Sequence, residues 1–220
     1  MSGSTPAEDF VPIASDREAI ERIEEHVYQH IGEGEVFHEL LSEVVHVDVH
    51  VLDPTPQRDF YTLVTTGMSD LPMQATDGAR DPRYAELIMC LPSNWSLTDD
   101  ALRREEHVWP IHLLQKLARQ PHRQRSERGA GHVSSNVGPP QPFASNTKLC
   151  GVLLSTPKLF APGFERIEVR PDKTVQLLSV IPIYREESEF VQTHGVDVLL
   201  DLLAMNGVTE LLDVHRKRVC

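Results

Sequence analysis

Val45, Val47, Val49 and Val51 alternate with His46, Asp48 and His50, and this strict period of two constrains the fold more than any other feature of the chain. Side chains on a strand point alternately to opposite faces, so the four valines belong to one face and His46, Asp48, His50 and Leu52 to the other. The valine face demands a core. The alternation holds over residues 44–52, after which DPTPQR at 53–58 connects to a second β-rich run, FYTLVTT at 60–66. The two runs predict a hairpin. A lone hairpin is unstable in water, so further strands or helices must cover it. With 220 residues, 40% of them hydrophobic, the chain has the material for that cover.

The remaining pattern supplies both kinds of element. Ser15 and Glu18 fit a capping box, and Ile20, Ile23, Val27 and Ile31 then recur at helical spacing until Gly32 and Gly34. Residues 84–91, bounded by Pro82 and Pro92, predict a more buried strand. SLTDD at 96–100 offers N-caps for a helix running to Trp109, where Pro110 is expected to break or restart it before Ile111, Leu114, Leu117 and Ala118 continue the stripe. Residues 119–148 predict a long irregular loop carrying Arg119, Arg123, Arg125 and Arg128. Strands follow at 149–155, 164–169 and 174–183, then helices at 184–191 and 196–205, the last stopped by Asn206 and Gly207. Two groups of strands with helices before, between and after them predict an α+β fold: a mixed, mostly antiparallel sheet with flanking helices in a single domain. The domain is expected over 15–215, with a flexible N-terminal arm at 1–14 and a C-terminal tail at 216–220.

Charge narrows the partners. Lys plus Arg number 21 against 33 Asp plus Glu, a net charge of −12, which disfavours nucleic acid and anionic membrane surfaces. The first ten residues lack the basic start and apolar centre of a signal peptide, and no apolar run is long enough for a membrane span, so the expected location is cytoplasmic. Cys90, Cys150 and Cys220 stand in no ligand spacing and suit a reducing compartment.

HVDVHV at 46–51 has the look of a metal cluster. In a strand, however, His46 and His50 stand roughly 13 Å apart at Cα, too far for one ion to be held by both without a strong lean. Zinc wants three or four ligands, and no others can be named. No metal, cofactor or catalytic group follows from these residues. The polar face then meets water or lines a partner groove. GMSD at 67–70 is open in the same way: Gly67 for a positive φ with Ser69 or Asp70 closing a turn, or Met68, Leu71 and Met73 as an apolar lip beside Asp70 for a protein segment. Cys90, mid-strand, reads as core, Trp95 and Trp109 as packing anchors, and the arginine cluster as a solvated loop.

The stretch YTLVTTGMSDLPM at 61–73 resembles the signature of the suppressor of fused family. HVDVHVLDPTP before it, RYAELIMCLPSNW and WPIHLLQKLARQP after it, and HGVDVLLDLLAMNG near the end resemble that family in the same order. The resemblance implies a mixed α+β fold and a non-enzymatic role in binding other proteins. In animals, members hold Gli-type zinc-finger transcription factors and so repress Hedgehog signalling. This chain resembles their shared domain, without an evident second regulatory domain, and so looks more like bacterial members, which are thought to act as immunity proteins against toxin domains. On that basis the expected partner-binding residues are His46, Asp48, His50, Tyr61, Thr66, Gly67, Met68, Asp70 and Met73. Two alternatives stand beside this: a metal-assisted hydrolase using His46, Asp48 and His50, and a peptide-binding module with a changed partner.

Overall fold

The computed structural model describes residues 14–39, 44–74, 83–124, 126, 128–136 and 138–220. The expected arm falls almost wholly outside them. Helix α1 (Arg17–His30) leads to strand β1 (Gly34–Phe37), then to β2 (Asp48–Leu52) and β3 (Phe60–Thr66). A 3-10 turn (Met68–Asp70) follows, then β4 (Tyr84–Pro92), α2 (Asp99–Leu102) and α3 (Glu105–Gln124). The second half adds β5 (Val133–Ser135), β6 (Gly151–Ser155), β7 (Arg166–Arg170), β8 (Lys173–Ile183), α4 (Arg185–His194) and α5 (Val196–Met205).

All eight strands join one sheet in the order β1-β2-β3-β4-β8-β6-β5, with β7 paired to β8 beside that path. The expected hairpin is present, Asp48 opposite Thr66 and Leu52 opposite Thr62. Strands β4 and β8 run parallel, while the other named pairs are antiparallel. The mixed, mostly antiparallel sheet is therefore as the sequence predicts.

Burial follows the strand alternation. Val45, Val47, Val49, Val51, Leu63, Leu87 and Met89 meet Trp109, Leu114 and Leu117 of α3 on one face. On the other face Ile23 and Val27 of α1 pack against Leu52, Val64, Ile88 and Val175. Leu199 and Leu203 of α5 close a smaller cluster over Leu153, Ile181 and Ile183. The face of β2 opposite the valines is thus half core: Leu52 is fully buried and His50 is 4% exposed. A wet polar face was the simple expectation, and α1 covers it instead.

Three local expectations are corrected. The cap of α1 is Asp16, whose carboxylate accepts from Ala19 N at 3.2 Å, not Ser15. Pro110 does not break the helix; it lies inside α3, and the interruption comes earlier, between α2 and α3. Proline removes the N–H that would bond the carbonyl four residues back, and here Asn146 Nδ2 donates to that Glu106 carbonyl at 3.0 Å, so the helix continues. The stretch 119–148 is not one loop, because α3 runs to Gln124 and β5 pairs with β6. Arg119 is ion-paired with Glu39, and Arg128 bonds Gln124, so these arginines are not simply solvated.

Candidate protein-binding site

The 3-10 turn after β3 is held from every side. Gly67 opens it at φ 104°, and a Cβ there would lie 1.8 Å from the His46 carbonyl oxygen, so only glycine fits. Gly67 N, Ser69 N and Ser69 Oγ donate to Oε1 of Glu86 at 3.0, 2.9 and 2.7 Å. Thr65 Oγ1 donates to the other oxygen at 2.6 Å and accepts from Leu87 N. Glu86 is wholly buried in β4, and that burial pushes its carboxyl up to about 7 against the pull of the Thr65 and Ser69 bonds. His122 of α3 donates to the Met68 carbonyl at 2.9 Å, and Lys173 of β8 donates to the Ser69 carbonyl at 2.7 Å. Asp16 N bonds Asp70 Oδ1 at 3.1 Å, and the Asp16 carboxylate takes Lys173 and Arg170, each at 2.9 Å. Burial of Asp16 works the other way, but those cations hold its carboxyl well below the usual range. Apart from the Asp70 N bond to the Gly67 carbonyl that closes the turn itself, these partners lie on β4, α3, β8 and the start of α1, so the turn is fixed by several elements of the fold.

This geometry sorts the residues expected from the sequence. Thr66, Gly67, Met68 and Met73 are buried, with Met68 1% and Met73 3% exposed, so the two methionines belong to the core and form no lip. Asp70 and Tyr61 are half-buried, as are His46 and Asp48. Asp48 gathers its end of the strand: its carboxylate accepts from Glu39 N at 2.9 Å and lies 3.0 Å from His38 Nδ1 and 2.9 Å from His46 Nε2. His50 takes no part in that cluster. Its Nδ1 meets Tyr28 Oη at 3.0 Å and its Nε2 meets Thr66 Oγ1 at 3.1 Å, and burial lowers its pKa to about 4. The hydrolase alternative needed His46, Asp48 and His50 on one ion. With both His50 nitrogens engaged beneath α1, the three do not converge, and among the described residues no group of three or more such side chains is placed to hold a metal.

Beside the hairpin lies a groove of about 320 Å³. Phe37, Val51 and Tyr61 form its floor, Trp95 and Leu97 its wall, and Glu35 and Asp53 give it an acidic rim. Phe37, Tyr61, Trp95 and Leu97 are all half-buried, leaving apolar surface open. Trp95 Nε1 donates to the His107 carbonyl at 3.0 Å, which fixes the indole. Strand β1 is the sheet's terminal strand, and its outer edge pairs with no other strand among the described residues.

The family model for the suppressor of fused protein (SUFU) matches residues 43–217. The chain belongs to the suppressor of fused family. Among solved structures it is similar to a SUFU homologue from Neisseria gonorrhoeae, with TM-score 0.65 and 18% identity over 93% of this chain and 96% of that one. A chain of the Sufu–Fu complex aligns with TM-score 0.61 and 15% identity over 95% of this chain and 93% of that one. Drosophila Suppressor of Fused aligns with TM-score 0.61 and 14% identity over 94% of this chain but 52% of that one, so the chain spans about half of the fly protein. No curated protein matches it. At these identities the likeness is one of fold.

The turn described above lies within YTLVTTGMSDLPM, the stretch that resembles the family signature, and its geometry gives that stretch a structural reason. Sequence reasoning did not single out Glu86, His122 or Lys173, which hold the turn, nor the Trp95–Leu97 wall of the groove. Glu86 had a signal: a lone acid inside the apolar run AELIMCL must be buried with donors around it. Lys173 and His122 had none, because their partners lie 104 and 54 residues away.

Proposed function

We propose that this SUFU domain is a non-enzymatic protein-binding domain that acts by occupying a partner stoichiometrically, in the cytoplasm, with neutralisation of a toxin domain as its concrete role. The observation that carries the reading is the groove of Phe37, Tyr61, Trp95 and Leu97 with Glu35 and Asp53 on its rim. Half-buried aromatics fixed in place, with acidic residues around them, suit an apolar segment bearing basic side chains. The open edge of β1 alongside offers main-chain bonds to an extended segment. One structural neighbour is a Sufu in complex with Fu, which is consistent with a protein partner for this fold. Tyr61 is the expected binding residue that lines the groove, while His46, Asp48 and Asp70 offer further half-exposed polar contacts. His50, Thr66, Gly67, Met68 and Met73 are buried and line no part of the groove.

The test is direct binding, by titration calorimetry, to the protein recovered with this chain in affinity purification from its source cells, and to the product of any toxin-like gene found adjacent to its own. A one-to-one complex that weakens at least about tenfold in Tyr61→Ala and Trp95→Ala, with unfolding temperatures little changed, supports the proposal. No complex, or a complex indifferent to both substitutions, overturns the groove, and substrate turnover by the purified chain overturns the non-enzymatic reading.

A further inference from the structure

Helix α5 is apolar nearly all round: Asp197 and Asp201 are the polar residues in VDVLLDLLAM. A helix of that composition is ordinarily enclosed on every side. Here Leu199 and Leu203 are buried, over Leu153, Ile181 and Ile183, and Val219 and Cys220 of the segment set apart in sequence as a tail pack against the same cluster. The outer side of the helix stays open. Met205 is 83% exposed and Val198 43%, two of the three large apolar side chains that stand exposed among the described residues. Leu202, between them, is half-buried. At i, i+4 and i+7 the three form one stripe, roughly 10 Å long on the helix axis.

Asp197 and Asp201, one turn apart, run along one side of that stripe. Both are exposed, and neither has an ion pair among the described residues. Asp197 lies in the first turn, where the helix N-terminus favours an acid, but Asp201 is mid-helix and has no such role. The helix itself carries no base. On the elements packed against it, Arg185 is engaged by Glu189, Arg216 by Glu187 and Arg218 by Glu186. Lys217 lines a cavity with Lys148 and Tyr184 to which no residue of α5 contributes. His194 stacks on Phe190 at 4.0 Å, and Arg128 is bonded to Gln124 and His132. The charges beside the stripe are therefore acidic and unanswered. A second copy of the chain is a poor occupant, because a two-fold antiparallel contact would return each Asp201 opposite its own equivalent, between chains of net charge −12. An anionic membrane surface is repelled for the same reason.

We infer that the outer face of α5 docks an amphipathic helix of another protein, its apolar stripe on Val198, Leu202 and Met205 and its lysine or arginine side chains against Asp197 and Asp201. Helix suits helix here, since anchors one turn apart meet anchors one turn apart and the ridges of one enter the grooves of the other. The unbranched thioether of Met205 adapts to such a partner. The inference rests on the same reading of the chain as a protein-binding domain but at a different surface, because no residue of α5 lines the first groove.

The experiment is fluorescence anisotropy with a labelled helical peptide that carries leucines at i, i+3, i+4 and i+7 and lysines between them. Its controls are the same peptide with glutamate for lysine and a scrambled peptide of the same composition whose leucines form no stripe. The lysine peptide is expected to bind, and both controls to bind at least about tenfold more weakly. Val198→Gln/Met205→Gln should weaken it at least about tenfold, Asp201→Lys should weaken it and reduce its salt sensitivity, and Tyr61→Ala should leave it unchanged. Val198, Met205 and Asp201 are exposed, so these variants should unfold at the wild-type temperature. Absence of binding, equal binding of the scrambled peptide, or binding indifferent to both variants overturns the inference. So does a dimer in analytical ultracentrifugation, or binding to phosphatidylglycerol vesicles, that Val198→Gln/Met205→Gln abolishes. Any of those outcomes leaves the first groove standing, because its own titration reads Tyr61 and Trp95.

Discussion

Lys173 Nζ donates to the Ser69 carbonyl at 2.7 Å although 104 residues separate them, and the same ammonium reaches Asp16 at 2.9 Å. One buried cation therefore joins the turn after β3, the β7–β8 hairpin and the cap of α1. Lys173 is 1% exposed and lies 4.6 Å from the centre of the Tyr84 ring, so its stem and its charge are both enclosed. Lys173→Met keeps most of the packing but leaves the Ser69 carbonyl unbonded and Asp16 dependent on Arg170. The expected cost is about 2–3 kcal/mol in urea unfolding. Asp16→Asn in the same chain should cost less than it does alone, because the carboxylate has by then already lost one of its two cations.

Glu86 gives the domain an unusual pH term. Its ordinary value is 4.5 and its folded value about 7, so the folded chain holds this proton more tightly than the unfolded one. The contribution to stability is fully present below pH 4.5 and is lost as pH rises to 7, by about 3 kcal/mol for a shift of that size. Glu86→Gln removes the ionisation, so the stability of the variant relative to wild type should rise by that amount between pH 4.5 and pH 8. A parallel pair of profiles in urea unfolding would mean that Glu86 is not the titrating group.

His50 acts in the opposite sense. Burial lowers it from 6.5 to about 4, so its contribution is present above pH 6.5 and is lost as pH falls towards 4. The two windows overlap, and wild-type stability between them should be flatter than that of either single variant. His50→Gln is expected to resist acid better, relative to its own stability at pH 8, by up to about 3 kcal/mol. The ring itself can be followed by NMR, where it should remain neutral at pH 5.5.

Gly67 and Gly207 both have positive φ, at 104° and 68°, but they differ in space. A Cβ at Gly207 meets nothing within 4 Å, whereas one at Gly67 meets the His46 carbonyl oxygen at 1.8 Å. Gly207→Ala should cost about 1 kcal/mol, the backbone penalty alone. Gly67→Ala must also push β2 away from the turn, and a loss of at least about 3 kcal/mol in thermal or urea unfolding is expected. Equal effects at the two positions would show that the close approach to His46 is easily relieved.

The parts of this fold that were legible in sequence are those set by local pattern. The β3 run and the α5 boundaries follow from periodicity and turn residues, and the structure places them where that logic does; β2 keeps the valine alternation but begins at Asp48 rather than Val44, residues 44–47 burying Val45 and Val47 without strand pairing among the described residues. Strand β1, four residues beginning at Gly34, and β5, three residues, are too short to carry a period and form because β2 and β6 give them an edge. His46 and His50 looked equivalent because strand alternation alone puts them on one face. Only the packing of α1 separates them, drawing His50 inward while His46 stays with Asp48 at the surface. The same limit hid the groove, whose wall at Trp95 and floor at Tyr61 meet only once β4 lies beside β3.

Pro110 shows how a strong local rule is overridden, and it can be tested as a pair. The Glu106 carbonyl loses its helical donor to proline and gains Asn146 Nδ2 at 3.0 Å, while Ser145 Oγ reaches the Glu106 carboxylate at 2.8 Å. Asn146→Ala should therefore cost about 1–2 kcal/mol, the price of an acceptor left without its bond. Pro110→Ala restores a backbone N–H aimed at the same oxygen, so Asn146→Ala should cost markedly less in that background. A double-mutant cycle on urea unfolding measures the difference, and a coupling of at least about 0.5 kcal/mol is expected for groups sharing one acceptor. Additive losses would mean that Asn146 does not stand in for the missing N–H and that α3 tolerates Pro110 through its burial beside Trp109 alone.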